Sequence, residues 1–245
     1  ILLYQHLNIM AGTYAQKYMT DSLEFFKNYI QMGSNNPVRI QQAEIFDKLL
    51  TEEFNFDYIE CIETGCASGE YDNFGVYLSK YCKDNGGKFS TVDISEDYIN
   101  KSKVLYLDVI GNNNNEYFVS DSIAFLKSYE GRPNLVHLDS LDLDMKNPVP
   151  SMLHGWLEFE AIKEKMPSGS ICAIDDNFLK GTVVFWGFCD PEGNFLPQEE
   201  INVDYDIIGK GSLIYHWAQR EETDWDLIGD HYQPGKNIKL ILKKR

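Results

Sequence analysis

The sequence predicts an α/β fold in which helices cover both faces of a mostly parallel sheet. Short apolar segments rich in β-branched residues alternate with longer segments of helical periodicity, the pattern of successive strand and helix units. Several apolar segments end abruptly in glycines or acidic residues, as strands do where parallel sheets bind ligands. The length of 245 residues suits one large domain. We therefore expect a single domain over residues 1–245, with a helical N-terminal cap at 1–57 and the sheet-containing core at 58–245.

Two helical patterns precede the first strand, at residues 21–32 and 38–50. The segment Thr20-Asp21-Ser22 is a capping sequence for the first of them, and a polar loop at residues 33–37 separates the two. We expect these helices to cover one edge of the sheet and to form part of a lid over a ligand. Arg39 is a candidate for contact with that ligand, although a surface or core position is the more common role for such a residue.

The first strand runs into a glycine turn. Its apolar alternation ends at Glu63-Thr64-Gly65, Gly69 follows, and a helical pattern resumes by Phe74. A residue without Cβ allows a sharp turn and lets a ligand lie against the main chain. The spacing Gly65-x-x-x-Gly69 lacks the G-x-G-x-x-G fingerprint of dinucleotide-binding folds. An adenosine-bearing cofactor is the expected occupant, and an ordinary structural turn is the alternative.

The second strand, at residues 88–93, ends on an acid, Asp93. A carboxylate at this place in a parallel sheet lies beside an adenosine ribose and can accept both of its hydroxyl groups. The alternative is a helix N-cap, because Ser95 and Glu96 follow. We favour the ribose role because the glycine turn precedes it.

Two further strands deliver clusters of carboxylates at their C-terminal ends. Asp139 follows the first of these strands, and Asp175 and Asp176 follow the second. Neighbouring anions repel one another unless a cation or protons intervene. A hard divalent cation, Mg²⁺ above all, prefers such oxygen ligands. The sequence therefore predicts a magnesium site, with helix caps on solvated loops as the alternative.

The last third of the chain is rich in aromatic residues and reads as strands at residues 182–188, 205–208 and 212–217, with a closing strand at 237–242. We expect a final antiparallel hairpin at the edge of the sheet. Aromatic rings stack on sugars and phenols, although each ring taken singly is more often part of a core. The candidates for an acceptor pocket are Trp186, Phe188, Trp217 and Tyr232.

Taken together, these motifs resemble the metal-dependent class I O-methyltransferases, which include catechol O-methyltransferase and the macrocin and mycinamicin sugar O-methyltransferases. The resemblance covers residues 58–178. It implies a Rossmann-like, seven-stranded class I methyltransferase sandwich, in which the seventh strand lies between the fifth and the sixth. It also implies S-adenosylmethionine (SAM) and Mg²⁺ as cofactors. It also assigns metal binding to Asp139, Asp175 and Asp176. The implied cofactor-binding residues are Glu63, Gly65, Ala67, Ser68, Gly69, Asp93, Ile94, Asp121, Ser122 and Asp139.

The sequence departs from the catechol enzymes at the general base. They carry a lysine three residues after the first metal aspartate, whereas this chain has Asp142. Asp142 is the first candidate for the catalytic base, and His154 is the second. Because that lysine is missing, a sugar or glycan hydroxyl, such as that of a deoxysugar, is the preferred acceptor. The alternatives are a small catechol or phenol, a non-catalytic nucleotide-binding module, and an NAD-dependent oxidoreductase, which the absent G-x-G-x-x-G disfavours.

Composition bounds the partners. With 38 acidic and 22 basic residues the formal charge is −16, which argues against nucleic acid as a substrate. No run approaches the roughly 18 apolar residues of a membrane span. The five cysteines are scattered without a C-x-x-C pair, so reduced thiols in a cytoplasm are expected. The chain begins at Ile1, which is compatible with a piece of a larger polypeptide, and a homo-oligomer is left open.

Overall fold

The computed structural model describes residues 21–33, 36–66, 73–111, 114–189, 195–220, 222–228 and 238–245, with the backbone alone at 38, 185–189 and 195–198. These residues form the helices α1 (Ser22–Met32), α2 (Pro37–Glu53), α3 (Phe74–Asp84), α4 (Glu96–Ile110), α5 (Ser122–Ser128), α6 (Val149–Ile162) and α7 (Ser212–Ala218). They also form the strands β1 (Glu60–Thr64), β2 (Lys88–Asp93), β3 (Asn115–Val119), β4 (Leu135–Leu138), β5 (Ile171–Leu179), β6 (Val183–Cys189), β7 (Phe195–Asn202), β8 (Ile207–Gly209), β9 (Trp225–Leu227) and β10 (Ile238–Lys244).

The main sheet follows the predicted order. Seven strands lie in the order β3-β2-β1-β4-β5-β10-β9. The last strand of the chain, β10, therefore lies between β5 and β9. The pairs from β3 to β5 are parallel, whereas β10 runs antiparallel to both of its neighbours. The short strand β8 adds an eighth member by pairing with the end of β5, and β6 and β7 form a separate hairpin.

Buried side chains on the two faces of the sheet belong to two apolar clusters. Alternate strand residues face opposite ways, so Cys61 packs with one cluster and Ile62 with the other. Helices α1 to α4 supply the first cluster, which includes Phe46 and Tyr106. Helices α5, α6 and α7 supply the second, which includes Phe159. Helices therefore cover both faces, as predicted.

The N-terminal helices begin as the sequence predicts but lie elsewhere. Asp21 caps α1, because its side chain accepts a hydrogen bond from the backbone N–H of Leu23 at 2.8 Å. Helices α1 and α2 pack on α3, where Phe26 and Phe46 meet Tyr77 edge to face. They thus lie over one face of the sheet, whereas the sequence analysis placed them at an edge. Their apolar faces match the surface of α3, which the sequence pattern does not encode.

One predicted strand is a helix. Residues 212–217 form most of α7, which packs on α6 and on β9. A short apolar run does not distinguish a strand from a buried helix by periodicity alone, which explains the error. The ring of Trp217 contacts Trp156 and Phe159, so it packs within the second cluster. The side chains of Trp186, Phe188 and Tyr232 lie outside the described residues. No helix within the described ranges is long and apolar enough to cross a membrane.

Candidate active site

The candidate residues meet at the C-terminal edge of the parallel strands. Thr64 and Leu138, the last residues of β1 and β4, pair with each other, and Leu138 pairs with Ile174 of β5. Strand β5 continues to Leu179, so Asp175 and Asp176 lie within this strand, whereas the sequence pattern predicted that they follow it. The backbone N–H of Asp139 donates to the carbonyl of Thr64 at 3.0 Å. Asp139, which follows β4, and Asp175, which follows Ile174 in β5, are therefore neighbours in space, at the edge where parallel sheets bind ligands.

The glycine turn lies directly against the end of β4. Gly65 has φ +77°, and its N–H donates to the carbonyl of Val92 at 2.8 Å. A Cβ on Gly65 would stand 2.3 Å from the carbonyl oxygen of Asp139, so only glycine fits there. The turn and Asp139 thus share one site. Three predicted cofactor residues of this turn lie outside the described residues: Ala67, Ser68 and Gly69.

Asp93 holds the same turn from β2. Its Oδ2 accepts from the backbone N–H of Cys66 at 3.1 Å, and its Oδ1 accepts from that of Ser95 at 2.7 Å. The N-cap of α4 is Ser95, whose hydroxyl oxygen accepts from the N–H of Tyr98. Asp93 is therefore not the cap, and its carboxylate lies beside the glycine turn. The next residue, Ile94, is 77% exposed at this edge.

Asp121 and Ser122 begin α5. The side chain of Asp121 accepts from the N–H of Ala124 at 2.8 Å, so Asp121 is a helix cap whatever else it binds. Oγ of the buried Ser122 lies 3.1 Å from Nε2 of His154. Cofactor binding by Asp121 and Ser122 remains a prediction of the resemblance.

His154 and Asp142, the two candidate bases, lie in different surroundings. His154 Nε2 is 3.5 Å from Oε1 of Glu158, and this contact raises the pKa of His154. Glu158 in turn accepts from the hydroxyl of Ser140 at 2.8 Å, so His154 connects the start of α5 with the loop after β4. Asp142 is exposed, and its backbone carbonyl accepts from Ser151 Oγ at 2.6 Å.

Asp139 and Asp176 meet at a lysine that the sequence analysis missed. The ammonium group of Lys210 lies 2.6 Å from Oδ1 of Asp139 and 3.0 Å from Oδ2 of Asp176. Asp176 has φ +53°, an unusual conformation for a residue with a side chain. Burial and the neighbouring Asp175 raise the pKa of Asp139 to about 7, against the attraction of Lys210. Burial alone would lower the pKa of Lys210, but Asp139 and Asp176 raise it above its ordinary value.

Asp175 is fully buried and carries a different set of partners. Its Oδ2 accepts from Lys239 Nζ at 2.6 Å and from Arg39 Nη1 at 2.8 Å, while its Oδ1 accepts from the N–H of Asp176 at 3.0 Å. Burial alone would raise the pKa of Asp175, yet Lys239 and Arg39 hold it well below its ordinary value. A lone lysine inside the apolar strand of residues 238–242 was the signal for this pair, because such a lysine requires a buried anion.

A buried chain of hydrogen bonds joins Asp175 to Glu63 through His137. Burial and Lys239 lower the pKa of His137, so its Nε2 accepts from the Lys239 ammonium at 2.8 Å. Its Nδ1 then carries the proton and faces Oε1 of Glu63 at 3.3 Å. Burial and Asp139 raise the pKa of Glu63 to about 8.

Carboxylates are ligands that magnesium prefers, but the carboxylates at this edge already bind cationic side chains. Donor atoms of His137, Asp139 and Asp175 lie within 4.8 Å of one another. Both ring nitrogens of His137 and both oxygens of Asp175 already have partners in the protein, and Asp139 Oδ1 binds Lys210. A metal ion would have to displace two ammonium groups, so these contacts do not support a magnesium site.

Comparison with solved structures shows the fold. No family model matches the chain, and no curated protein gives a significant match. Magnesium protoporphyrin IX methyltransferase from Synechocystis PCC 6803, solved with bound SAM, matches with a TM-score of 0.50, covering 89% of this chain and 85% of its own at 13% identity. The chain has the class I methyltransferase fold. Two further structures with this likeness have lower TM-scores.

The first is a SAM-dependent methyltransferase from Clostridium acetobutylicum, with a TM-score of 0.49 and 12% identity, covering 90% of this chain and 98% of its own. The second is an rRNA methylase from Streptococcus thermophilus, with a TM-score of 0.48 and 14% identity, covering 83% and 96%. At 13% identity the likeness to the porphyrin enzyme concerns the fold and not the acceptor.

Proposed function

We propose that the chain is a SAM-dependent O-methyltransferase that transfers a methyl group to a hydroxyl of a sugar or glycan, such as a deoxysugar. One observation carries the proposal: the Gly65 turn lies against Asp139, so the expected cofactor site and a polar cluster share one edge of a class I methyltransferase fold. A methyl donor in the turn would then face carboxylates able to orient a hydroxyl group.

The cofactor supplies an activated methyl group when bound. Asp93 would accept the ribose hydroxyls, because its carboxylate is fixed beside Cys66 at the end of β2. The exposed Ile94 would cover the adenine ring, with Asp121 and Ser122 at its amino group. Glu63, Gly65 and the turn residues Ala67, Ser68 and Gly69 complete the proposed cofactor site.

The reaction is a direct displacement. The acceptor oxygen forms a bond to the methyl carbon while the carbon–sulfur bond breaks, and the hydroxyl proton passes to a base of the protein. Most of the acceleration would come from alignment of the oxygen with the methyl group and from nearby charge on the forming alkoxide. Asp142 is a candidate base on an exposed loop, and His154 is another. Asp139 is better placed than either, because its own carbonyl touches the Gly65 turn.

A catechol or phenolic acceptor is a second candidate, favoured by Lys210. The lysine missing at position 142 had been the reason to prefer a sugar. Lys210 places an ammonium group 2.6 Å from Asp139 from another part of the chain, so that reason loses weight. A screen must therefore include phenols.

Magnesium dependence stays a prediction of the resemblance, and no step of the proposed reaction needs a metal ion. A small-molecule or glycan acceptor and a cytoplasmic setting belong to the same proposal. The four described cysteines are free and buried, which agrees with a reducing compartment.

Calorimetric titration with SAM and S-adenosylhomocysteine tests the cofactor site. We expect micromolar binding to the wild type and at least about tenfold weaker binding to Asp93→Asn, since a carboxylate accepts hydroxyl groups better than an amide. Asp97→Asn is the matched control, because Asp97 is exposed and forms an ion pair with Lys101 on the same helix. No cofactor binding to the wild type would end the methyltransferase proposal.

Transfer of an isotopically labelled methyl group tests the acceptor. Deoxysugars, glycans and catechols are incubated with the labelled donor and the wild type, Asp139→Asn or Asp142→Asn. Label on sugars supports the proposal, and label on catechols alone supports the second candidate. A loss of turnover in Asp139→Asn with retained cofactor affinity identifies Asp139 as the base, and the same loss in Asp142→Asn identifies Asp142.

A further inference from the structure

We propose that Lys210 is the resident cation of this site, and that its ammonium group takes the place between Asp139 and Asp176 that a divalent metal ion would need. The distances of 2.6 Å and 3.0 Å from its Nζ to the two carboxylates are those of charge-assisted hydrogen bonds. Only the catalytic consequence rests on the proposed methyltransferase function, because the cation site itself can be tested without turnover.

The charges of the cluster balance without an added ion. Three carboxylates, those of Asp139, Asp175 and Asp176, face three cationic side chains, those of Lys210, Lys239 and Arg39. A divalent cation gains affinity from anionic charge that the protein leaves uncompensated. Here each carboxylate already has a cation within 3.0 Å, so an added ion would gain little and would face the repulsion of two ammonium groups.

The backbone builds this lysine into the fold. Lys210 follows β8, and it is 2% exposed. The N–H of Gly211 donates to Oδ1 of the buried Asn177 at 2.7 Å. A Cβ on Gly209, whose φ is +142°, would stand 2.0 Å from the carbonyl of Asp176. The turn that carries Lys210 is therefore pressed against the end of β5.

Because Lys210 is buried, it cannot yield its place to a metal ion at low cost. Withdrawal from Asp139 and Asp176 would leave an unpaired ammonium group inside the protein, which is strongly unfavourable. An exposed lysine such as Lys146, which pairs with Glu199, has no such constraint. The position of Lys210 thus excludes divalent cations while keeping positive charge beside Asp139, where the proposed reaction needs it.

Manganese binding to the metal-stripped full-length chain tests the inference, by electron paramagnetic resonance and calorimetry. We expect the wild type to show no site with a dissociation constant below about 1 mM. Lys210→Met leaves Asp139 and Asp176 uncompensated, so we expect Mn²⁺ to bind it at least about tenfold more tightly than it binds the wild type. The added substitution Asp139→Asn should abolish the gained site.

Two controls separate this effect from a change in net charge. Lys146→Met removes one exposed lysine, and Lys210→Arg retains the buried charge; neither should gain a manganese site. A folded Lys210→Met that gains no Mn²⁺ affinity would overturn the inference. A merely structural lysine would not produce a metal site when removed, so the gain is specific to the proposed role.

If Lys210→Met does not fold, the effect of Mg²⁺ on the thermal stability of the wild type tests the inference. Its melting temperature is measured in EDTA and in Mg²⁺, with Asp139→Asn alongside. Equal shifts in wild type and Asp139→Asn support the inference, whereas stabilisation by Mg²⁺ that Asp139→Asn loses contradicts it. SAM titration of the wild type reports separately on the proposed function.

Discussion

The two halves of the ligand edge are held in different ways. At the ends of β1 and β2, Asp93 accepts from backbone N–H groups 2 and 27 residues away in the chain. At the ends of β4 and β5, Asp175 binds the side chains of Lys239, 64 residues away, and Arg39, 136 residues away. The first half is held by hydrogen bonds to neutral backbone groups. The second half is held by charged side chains that folding brings together from distant parts of the chain.

This difference predicts different responses to substitution. Backbone N–H groups are neutral, and they stay in place when a nearby side chain changes. A buried ion pair leaves an uncompensated charge when one partner is removed. Substitutions around Asp175, which we call the acid half, should therefore mainly reduce the stability of the fold. Substitutions around Asp93 and Gly65 should change the conformation of the glycine turn and, if the proposed function is correct, the affinity for SAM.

The largest effect is expected for Lys239→Met. Its removal takes from the buried Asp175 its closest cation and from His137 a hydrogen-bond donor, so the free energy of unfolding should fall by about 3–5 kcal/mol. Urea denaturation measures this fall. Lys243→Met is the control, since it removes a more exposed pair with Glu53 worth about 1 kcal/mol or less. Equal effects in the two variants would mean that the acid half is not held by charge.

Gly65→Ala should have the next largest effect. The left-handed conformation costs a residue with Cβ about 1–2 kcal/mol, and the overlap with the Asp139 carbonyl raises the total to about 2–3 kcal/mol. SAM binding should fall with it, because the turn must shift. Gly86→Ala has a similar φ with open space around it, so it should cost only about 1 kcal/mol and leave SAM binding unchanged. Denaturation and calorimetry on both variants check this pair.

Substitution of Asp121 separates capping from cofactor binding. Asp121→Ala should lose about 1 kcal/mol of stability, whereas Asp121→Ser keeps a capping oxygen and should lose only a few tenths. We expect the affinity for SAM to fall severalfold in both variants, because both lose the carboxylate that is proposed to bind the adenine. Wild-type affinity in Asp121→Ser would leave Asp121 as a cap alone.

The smallest effect concerns pH and His154. Its pKa is raised in the folded protein through the hydrogen bond to Glu158, with a further contribution from Asp121 and an opposing one from Lys210. A raised pKa stabilises the fold fully below the unfolded value, about 6.5, and this stabilisation is lost as the pH rises through the folded value. The stability advantage of wild type over His154→Gln should therefore be larger at pH 6 than at pH 8.5, by less than about 1 kcal/mol for a partly exposed pair. Denaturation of both proteins at the two pH values measures this difference.

The sequence by itself predicted the order of strands and turns from β1 to β5 and the closing strand β10. Apolar periodicity and the glycines of the turn at Gly65 are local features, and local sterics set their consequences. The same reasoning placed Asp93 beside the turn and brought Asp139, Asp175 and Asp176 to one edge, because parallel strands end together. It failed at residues 212–217, where a short apolar run fits a strand and a helix equally well.

Only the tertiary structure decided which cations face those acids. Lys210, Lys239 and Arg39 come from three separate segments, and a single lysine or arginine in a sequence most often lies on the surface. Their partners depend on how β8, β10 and α2 pack around the end of β5. Electrostatic energy depends on distances that the chain reaches only when folded, so the sequence predicts that the carboxylates need compensating charge but not where that charge comes from.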